Sequence, residues 1–139
     1  VLIYNILHQK NFKNLTHMST LGNILWVIFG GLFICLYYAL MGILFCITVI
    51  GIPFGIQLFK VAGMALWPFG RQVLPKPSDG GCLTVIMNII WICIGGIWIC
   101  LTHLFFGVLL CITIIGIPFG KQHFKMAGLS LTPFGKKII

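Results

Sequence analysis

Two stretches with the sequence Gly-Ile-Pro-Phe-Gly, at 51–55 and 116–120, carry the chemistry that the sequence most clearly allows. Proline lacks an amide hydrogen and suits the first turn of a helix, so each stretch predicts one helix ending and another beginning. A helix start presents N–H groups and a positive dipole end, both of which attract anions. Lysines follow each stretch. The candidate anion-site residues are Gly51, Pro53, Gly55, Lys60, Gly116, Pro118, Gly120, Lys121 and Lys125.

These breaks have two interpretations. Secondary transporters place anion sites where helices break at matching points of two repeats, and the two stretches form such a matched pair. Alternatively, each break only turns the chain from a membrane helix into a helix at the membrane surface. We prefer the second interpretation and keep the anion site as the alternative.

Other side chains give little support for catalysis. Asp79 is the only acidic residue of the chain, and it lies between the two repeats rather than within one. His103 follows Cys100 by three residues, which is too few ligands for a metal site, and no nucleophile has both a base and an orienting group. The sequence therefore predicts no enzyme, no catalytic residue, no metal site and no cofactor.

Composition indicates an integral membrane protein. Hydrophobic residues make up 60% of the chain and charged residues 7%, far below the roughly 25% of soluble domains. No charged residue lies in 21–59 or in 80–120, and a membrane helix needs about 20 apolar residues. The net charge of +8 comes from residues at the ends of these apolar runs, which predicts contact with membrane lipid and not with nucleic acid.

The chain contains one unit twice, 65 residues apart. Residues 23–74 and 88–139 are identical at 28 of 52 positions, which indicates two copies of one structural unit. We divide the chain into an N-terminal extension at 1–20, a first repeat at 21–74, a linker at 75–85 and a second repeat at 86–139. We expect the natural start to be Met18, with the polar part before it being either upstream sequence or a flexible extension. The linker contains a turn signal at 78–81.

The predicted fold class is all-α, and each repeat has a long transmembrane helix followed by a short amphipathic helix. The short helices are expected from Pro53 to about Trp67 and from Pro118 to about Thr132. They are expected to lie in the membrane interface. With one span per repeat, the linker and the C-terminus fall on opposite sides of the membrane. The alternative is a two-span hairpin in each repeat, turning near Gly42 and near its equivalent in the second copy, Gly107.

Small residues in the long helices indicate helix packing. The pairs Gly30-Gly31 and Gly95-Gly96 allow close approach of helices in lipid, and a hinge is the less favoured role. They predict a homo-oligomer, or a complex with another membrane protein. Trp26 and Trp91 are expected at the membrane interface, where such rings are enriched.

The repeated motifs resemble the YccF domain, the inner membrane component domain. The shared pattern runs from Asn-x-x-Trp and Gly-Gly through Cys-Ile-Thr-x-Ile-Gly-Ile-Pro-Phe-Gly to Leu-x-Pro-Phe-Gly, once at 22–74 and once at 87–139. The resemblance implies a small multi-pass protein of the bacterial inner membrane and implies little about activity. We expect a non-catalytic membrane component or scaffold, in which Lys60 and Lys125 anchor at lipid headgroups. The alternative is an oligomeric anion channel or transporter built on the two breaks.

Overall fold

A computed structural model describes residues 1–77 and 80–139, apart from the side chains of Phe12 and Leu15. It is helical except for two short strands, which confirms the predicted fold class. The predicted turn at 78–81 includes Ser78 and Asp79, which lie outside the described residues. The elements are α1 (Leu2–Trp26), α2 (Leu32–Cys46), α3 (Ile52–Leu66), β1 (Val73–Pro75), α4 (Cys82–Trp91), α5 (Ile97–Cys111), α6 (Ile117–Leu131) and β2 (Lys136–Ile138).

Two helices are long and apolar enough to cross a membrane, Leu2–Cys46 and Cys82–Cys111. Each has a kink, within Val27–Gly31 in the first and Ile92–Gly96 in the second. Gly30 has φ 138°, which favours glycine, whereas Gly95 has φ 179°, which any residue adopts. The glycine pairs thus lie at bends of the chain, although the sequence analysis favoured a packing role over a hinge.

The N-terminal extension is helical in the structure. It forms part of α1, and its described side chains up to Met18 are exposed.

In each repeat the long helix and the short helix form an antiparallel hairpin. The chain reverses after Cys46, and α3 then returns along α2. The helices α2 and α3 approach each other closely at Gly42 and Gly55, because a Cβ on Gly55 would be 2.7 Å from the carbonyl oxygen of Gly42. The turn predicted near Gly42 and Gly107 is therefore wrong, since both glycines lie inside helices, where they allow close packing.

The short helices begin and end within a residue of the predicted bounds, because proline marks their starts. Much of their apolar surface, however, is buried in the protein, although Ile56 and Phe59 of α3 are exposed. In α6 the buried residues include Met126 and Leu129, while Lys121 and Gly128 are exposed on the other face. This helix is thus amphipathic, as predicted, and its apolar face packs against the rest of the chain.

The two repeats are related by an approximate two-fold axis. Trp26 of the first repeat stacks on Phe119 of the second, and Phe54 of the first stacks equivalently on Trp91 of the second. The start of each short helix therefore packs near the kink of the other repeat.

The strands β1 and β2 form a two-stranded antiparallel sheet that the sequence did not predict. Val73 pairs with Ile138, which is its equivalent in the second repeat. Because the strands share hydrogen bonds, the linker strand and the C-terminal strand must lie on the same side of a membrane. This pairing favours a topology in which the linker and the C-terminus share one side, and the number of spans per repeat remains a prediction.

Candidate functional site

The predicted helix breaks form tight turns whose amide groups are already bonded. The Gly51 N–H donates to Thr48, to its carbonyl oxygen at 3.0 Å and its Oγ1 at 3.1 Å. Gly116 repeats the arrangement with Thr113. The first N–H group of each turn is thus engaged by the protein itself.

Lys60 and Lys125 reach across the axis to the other repeat. Lys60 Nζ donates to the carbonyl oxygens of Pro133 at 2.7 Å and Lys136 at 2.9 Å. In return, Lys125 Nζ donates to the carbonyl oxygens of Pro68 at 2.8 Å and Arg71 at 2.9 Å. Each lysine therefore ties the short helix of one repeat to the end of the other.

Burial affects the charge of the lysines in this region. It lowers the pKa of Lys125 below the ordinary lysine value, and it also lowers the pKa of Lys136. Lys136 Nζ donates to Thr132 Oγ1 at 2.7 Å. Lys121, by contrast, is exposed.

The two breaks border different cavities. Gly116 lines a cavity of about 390 Å³ with Gly30 and Gly31 of the first repeat. Pro53 lines another, of about 680 Å³, that also contains Lys60. Neither of these cavities is lined by both breaks. A single anion site built from the two breaks remains a prediction.

The glycine pairs contact tryptophans of their own chain. A Cβ on Gly31 would clash with the Trp26 indole, and one on Gly96 would clash with Trp91. Gly30 and Gly95 have open space where a Cβ would be. Because Gly31 and Gly96 are buried, only the first glycine of each pair is accessible to another chain.

Trp26 and Trp91, which were expected at the membrane interface, are buried in the protein. Trp26 is 4% exposed, and its indole Nε1 donates to the Ala65 carbonyl oxygen at 2.6 Å. Trp91 is 2% exposed and donates equivalently to Ser130. A buried indole N–H needs a hydrogen-bond partner, and the end of the short helix supplies one.

A buried polar cluster lies on the two-fold axis. Tyr38 Oη contacts His103 Nε2 at 2.6 Å, and His103 Nδ1 contacts His123 Nδ1 at 2.9 Å. Tyr38 and His103 are equivalent residues, 65 positions apart. Among the described residues no group of three or more His, Cys, Asp or Glu is placed to hold a metal ion.

From the sequence alone, the position of His123 between Lys121 and Lys125 predicts a polar residue at the membrane interface. It is 7% exposed, and burial lowers its pKa from 6.5 to about 4, so it is neutral at pH 7. One signal was available: His123 replaces Leu58 at an apolar position of the repeat. Its partner His103 replaces Tyr38, and the contact itself is not visible in either substitution.

Comparison with known proteins supports the two-copy organisation. The family model described as "Inner membrane component domain" (YccF) matches residues 21–71 and again 86–136. The chain is 29% identical over 130 residues to "Inner membrane protein YccF" of Escherichia coli (strain K12), covering 88% of each chain, and equally to that of Shigella flexneri. No solved structure matches. The chain therefore belongs to the YccF family of inner membrane component domains, of which it contains two copies.

Proposed function

We propose that this chain is a non-catalytic component of the bacterial inner membrane, in which the two repeats form one rigid unit inserted from one face of the bilayer. The observation that supports it most strongly is the pair of hairpin turns. Ile50 and Ile115 are each 85% exposed, although they are apolar. Exposed apolar tips of this kind are stable when they lie in lipid.

The charged residues support insertion from one face. α2 and α5 contain no charged residue, whereas α3, α6 and β2 carry lysines, and Lys76 follows β1 directly. Because β1 pairs with β2 and Lys60 bonds to Lys136, these lysines lie together. The positive-inside rule favours the cytoplasmic face for such a cluster. Each short helix has 15 residues, or about 22 Å, so a hairpin does not span the roughly 30 Å hydrocarbon core alone.

Labelling tests this insertion. Lys76→Cys and Lys137→Cys place thiols beside the two strands, and the unsubstituted chain gives the background from native cysteines. A maleimide that does not cross membranes should label both positions in inverted vesicles and neither in intact cells. Labelling of the two positions from opposite sides would contradict insertion from one face.

The residue inventory supports a non-catalytic role. The single acid lies between the repeats in the sequence, so neither repeat contains a carboxylate side chain of its own for acid or base chemistry. The buried Tyr38, His103 and His123 bond to one another, in an environment with no nucleophile beside them in the described contacts.

A liposome flux assay tests the scaffold function. Purified protein in liposomes should give no flux of chloride, phosphate or potassium above that of empty liposomes. Chloride flux would contradict the scaffold and favour the anion channel.

The predicted homo-oligomer, or complex with another membrane protein, has its own test: Gly30→Leu and Gly95→Leu should disperse the assembly in detergent. An unchanged sedimentation profile would remove the glycine contact.

A further inference from the structure

An apolar cavity of about 390 Å³ lies between the kink of the first repeat and the hairpin turn of the second. Its aromatic lining residues are Trp26, Phe29 and Phe119, and the rings of Trp26 and Phe119 stack in parallel. In the part of the chain that the structure describes, no lysine, arginine or acidic residue lines it. Its volume falls within the range of roughly 300–1,000 Å³ that is typical of small-molecule sites. The cavity therefore suits an uncharged molecule with a flat apolar ring.

The mouth of this cavity is apolar and exposed. Phe29 is 79% exposed and Ile115 is 85% exposed, and Gly30 between the two repeats has open space where a Cβ would be. If the hairpin turns lie in lipid, as proposed above, this mouth opens into the bilayer. A ligand of the cavity is then a molecule dissolved in the membrane.

One polar side chain of the lining has a nitrogen without a partner. Thr113 Oγ1 donates to the Leu110 carbonyl oxygen at 3.0 Å, and the Trp26 indole donates within its own repeat. His123 is 7% exposed, and only its Nδ1 is engaged, by His103. Its Nε2 has no hydrogen-bond partner among the described residues. A buried polar atom of this kind needs a partner, which a bound ligand supplies.

The contact of His123 with His103 determines which hydrogen bond Nε2 can make. When Tyr38 Oη donates to His103 Nε2, the other nitrogen of His103 carries a hydrogen and donates to His123 Nδ1. His123 then carries its own hydrogen on Nε2. The reverse order would leave the hydrogen of the buried Tyr38 hydroxyl without an acceptor among the described residues. Nε2 is therefore a donor, and the ligand must offer an acceptor such as a carbonyl oxygen.

The equivalent cavity of the first repeat lacks this donor. It has a volume of about 250 Å³ and lies beside Trp91 and Gly95, the counterparts of Trp26 and Gly30. Leu58 lines it at the position equivalent to His123. The approximate symmetry of the fold therefore accounts for the two cavities but not for the polar group in one of them.

We propose that the cavity beside Trp26 binds the ring of a membrane-soluble quinone, one carbonyl oxygen of which accepts a hydrogen bond from His123 Nε2. The ring lies among the aromatic side chains, and the isoprenoid tail passes Phe29 and Ile115 into lipid. A quinone is uncharged, flat and a hydrogen-bond acceptor, so it matches each property of the cavity. An acyl chain alone would leave Nε2 without a partner, and a charged headgroup would find no counter-charge in the lining.

This inference goes beyond the scaffold function and depends on it only through the location in the membrane. A flux measurement and a ligand-binding measurement can therefore fail separately.

Calorimetric titration of the purified full chain in neutral detergent tests the proposal. The probe is decylbenzoquinone, decylbenzene is its counterpart without carbonyl oxygens, and protein-free detergent gives the contribution of the micelles. The wild-type chain should bind the quinone saturably and about fivefold more tightly than decylbenzene, because one hydrogen bond distinguishes them. Equal affinity would show that the cavity takes only an apolar tail and would overturn the assignment to a quinone. The absence of saturable binding would overturn the site.

The variant His123→Leu tests the hydrogen bond. It should weaken binding of decylbenzoquinone about fivefold and leave binding of decylbenzene unchanged. The decylbenzene measurement also shows whether the cavity of the variant is still folded. Equal weakening of both ligands, or no weakening of the quinone, would overturn the role of His123.

A pair of tryptophan variants tests the place of binding. Ile115→Trp narrows the mouth at an exposed position and should weaken the binding of both ligands. Ile50→Trp makes the same change at the equivalent tip of the first repeat, outside this cavity, and should bind both ligands as the wild type does. Equal effects of the two variants would place the binding elsewhere and overturn the site.

Discussion

His123 shows how a single residue couples this fold to pH. It lies in α6, where it contacts His103 and packs against the rings of Trp26 and Phe106. A charged imidazole in this apolar environment is disfavoured. Because its folded pKa is about 4 and its ordinary value is 6.5, the unfolded chain binds a proton between these pH values and the folded chain does not. The free energy of unfolding therefore falls as pH decreases from 6.5 to about 4.

The substitution His123→Leu, which introduces the residue of the first repeat, should remove this contribution. At pH 7 the variant should be less stable by about 1–3 kcal/mol, because the buried His103 loses a partner. Its melting temperature in detergent should then change less than that of the wild type between pH 7 and pH 4.5. His8→Leu, at an exposed position of α1, is the control and should leave the dependence unchanged. An unchanged slope for His123→Leu would contradict the assignment.

Gly30 and Gly95 differ in backbone conformation although they are equivalent. Gly30→Ala should cost about 1–3 kcal/mol, because φ 138° is unfavourable for a residue with a side chain. Gly95→Ala, at φ 179° with no atom near its Cβ, should be neutral or stabilising by up to about 1 kcal/mol. Chemical unfolding in detergent micelles measures both. Equal effects of the two substitutions would show that the kinks are alike.

At the scale of the elements, the two helices of each hairpin pack closely against each other at glycines. Gly55 faces Cys46 and the Gly42 carbonyl oxygen, whereas Gly63, further along the same helix, faces open space. The two glycines thus have opposite roles: one allows packing, and the other only weakens the helix. The second repeat has the same difference between Gly120 and Gly128.

Gly55→Ala should destabilise the protein by about 1–3 kcal/mol, since the new methyl group would force the helices apart. Gly63→Ala, its matched control in the same helix, should instead stabilise by up to about 1 kcal/mol. Unfolding midpoints in detergent distinguish the two signs. If Gly55→Ala is as stable as the wild type, the hairpin packs less closely than the structure indicates.

The elements were more predictable from sequence than their contacts. Pro53 and Pro118 marked the starts of the short helices, because proline acts locally on the backbone. The same local reasoning could not find the partners of Trp26 or Lys60, which lie 39 and 73 residues away along the chain. As a residue type, Trp26 suits a position among lipid headgroups. Only the folded hairpin shows that its indole N–H donates to a carbonyl oxygen of α3.

At the scale of the whole molecule, two lysines connect the repeats. Lys60 and Lys125 were expected to anchor at lipid headgroups, yet each donates two hydrogen bonds to carbonyl oxygens of the opposite repeat. These bonds, the aromatic stacks and the sheet all cross the axis. The two family domains are therefore one folding unit in this chain, rather than two domains on a tether.

Lys60→Met should lower the free energy of unfolding by about 1–3 kcal/mol, because the Pro133 and Lys136 carbonyl oxygens lose their donor. Lys121→Met, at an exposed position of α6, removes the same charge and should have little effect. Thermal unfolding in detergent compares them. Equal stability of the two variants would place Lys60 at the headgroups after all.

The pairing of Tyr38 with His103 on the two-fold axis has a consequence for how such a protein can arise. In a dimer of identical single-domain chains, one gene sets both residues on the axis, so tyrosine would face tyrosine or histidine would face histidine. Joining the copies in one chain removes that constraint, because each position then mutates alone. A phenol and an imidazole can become complementary there, and the resulting pair holds the two halves in a single, directional arrangement.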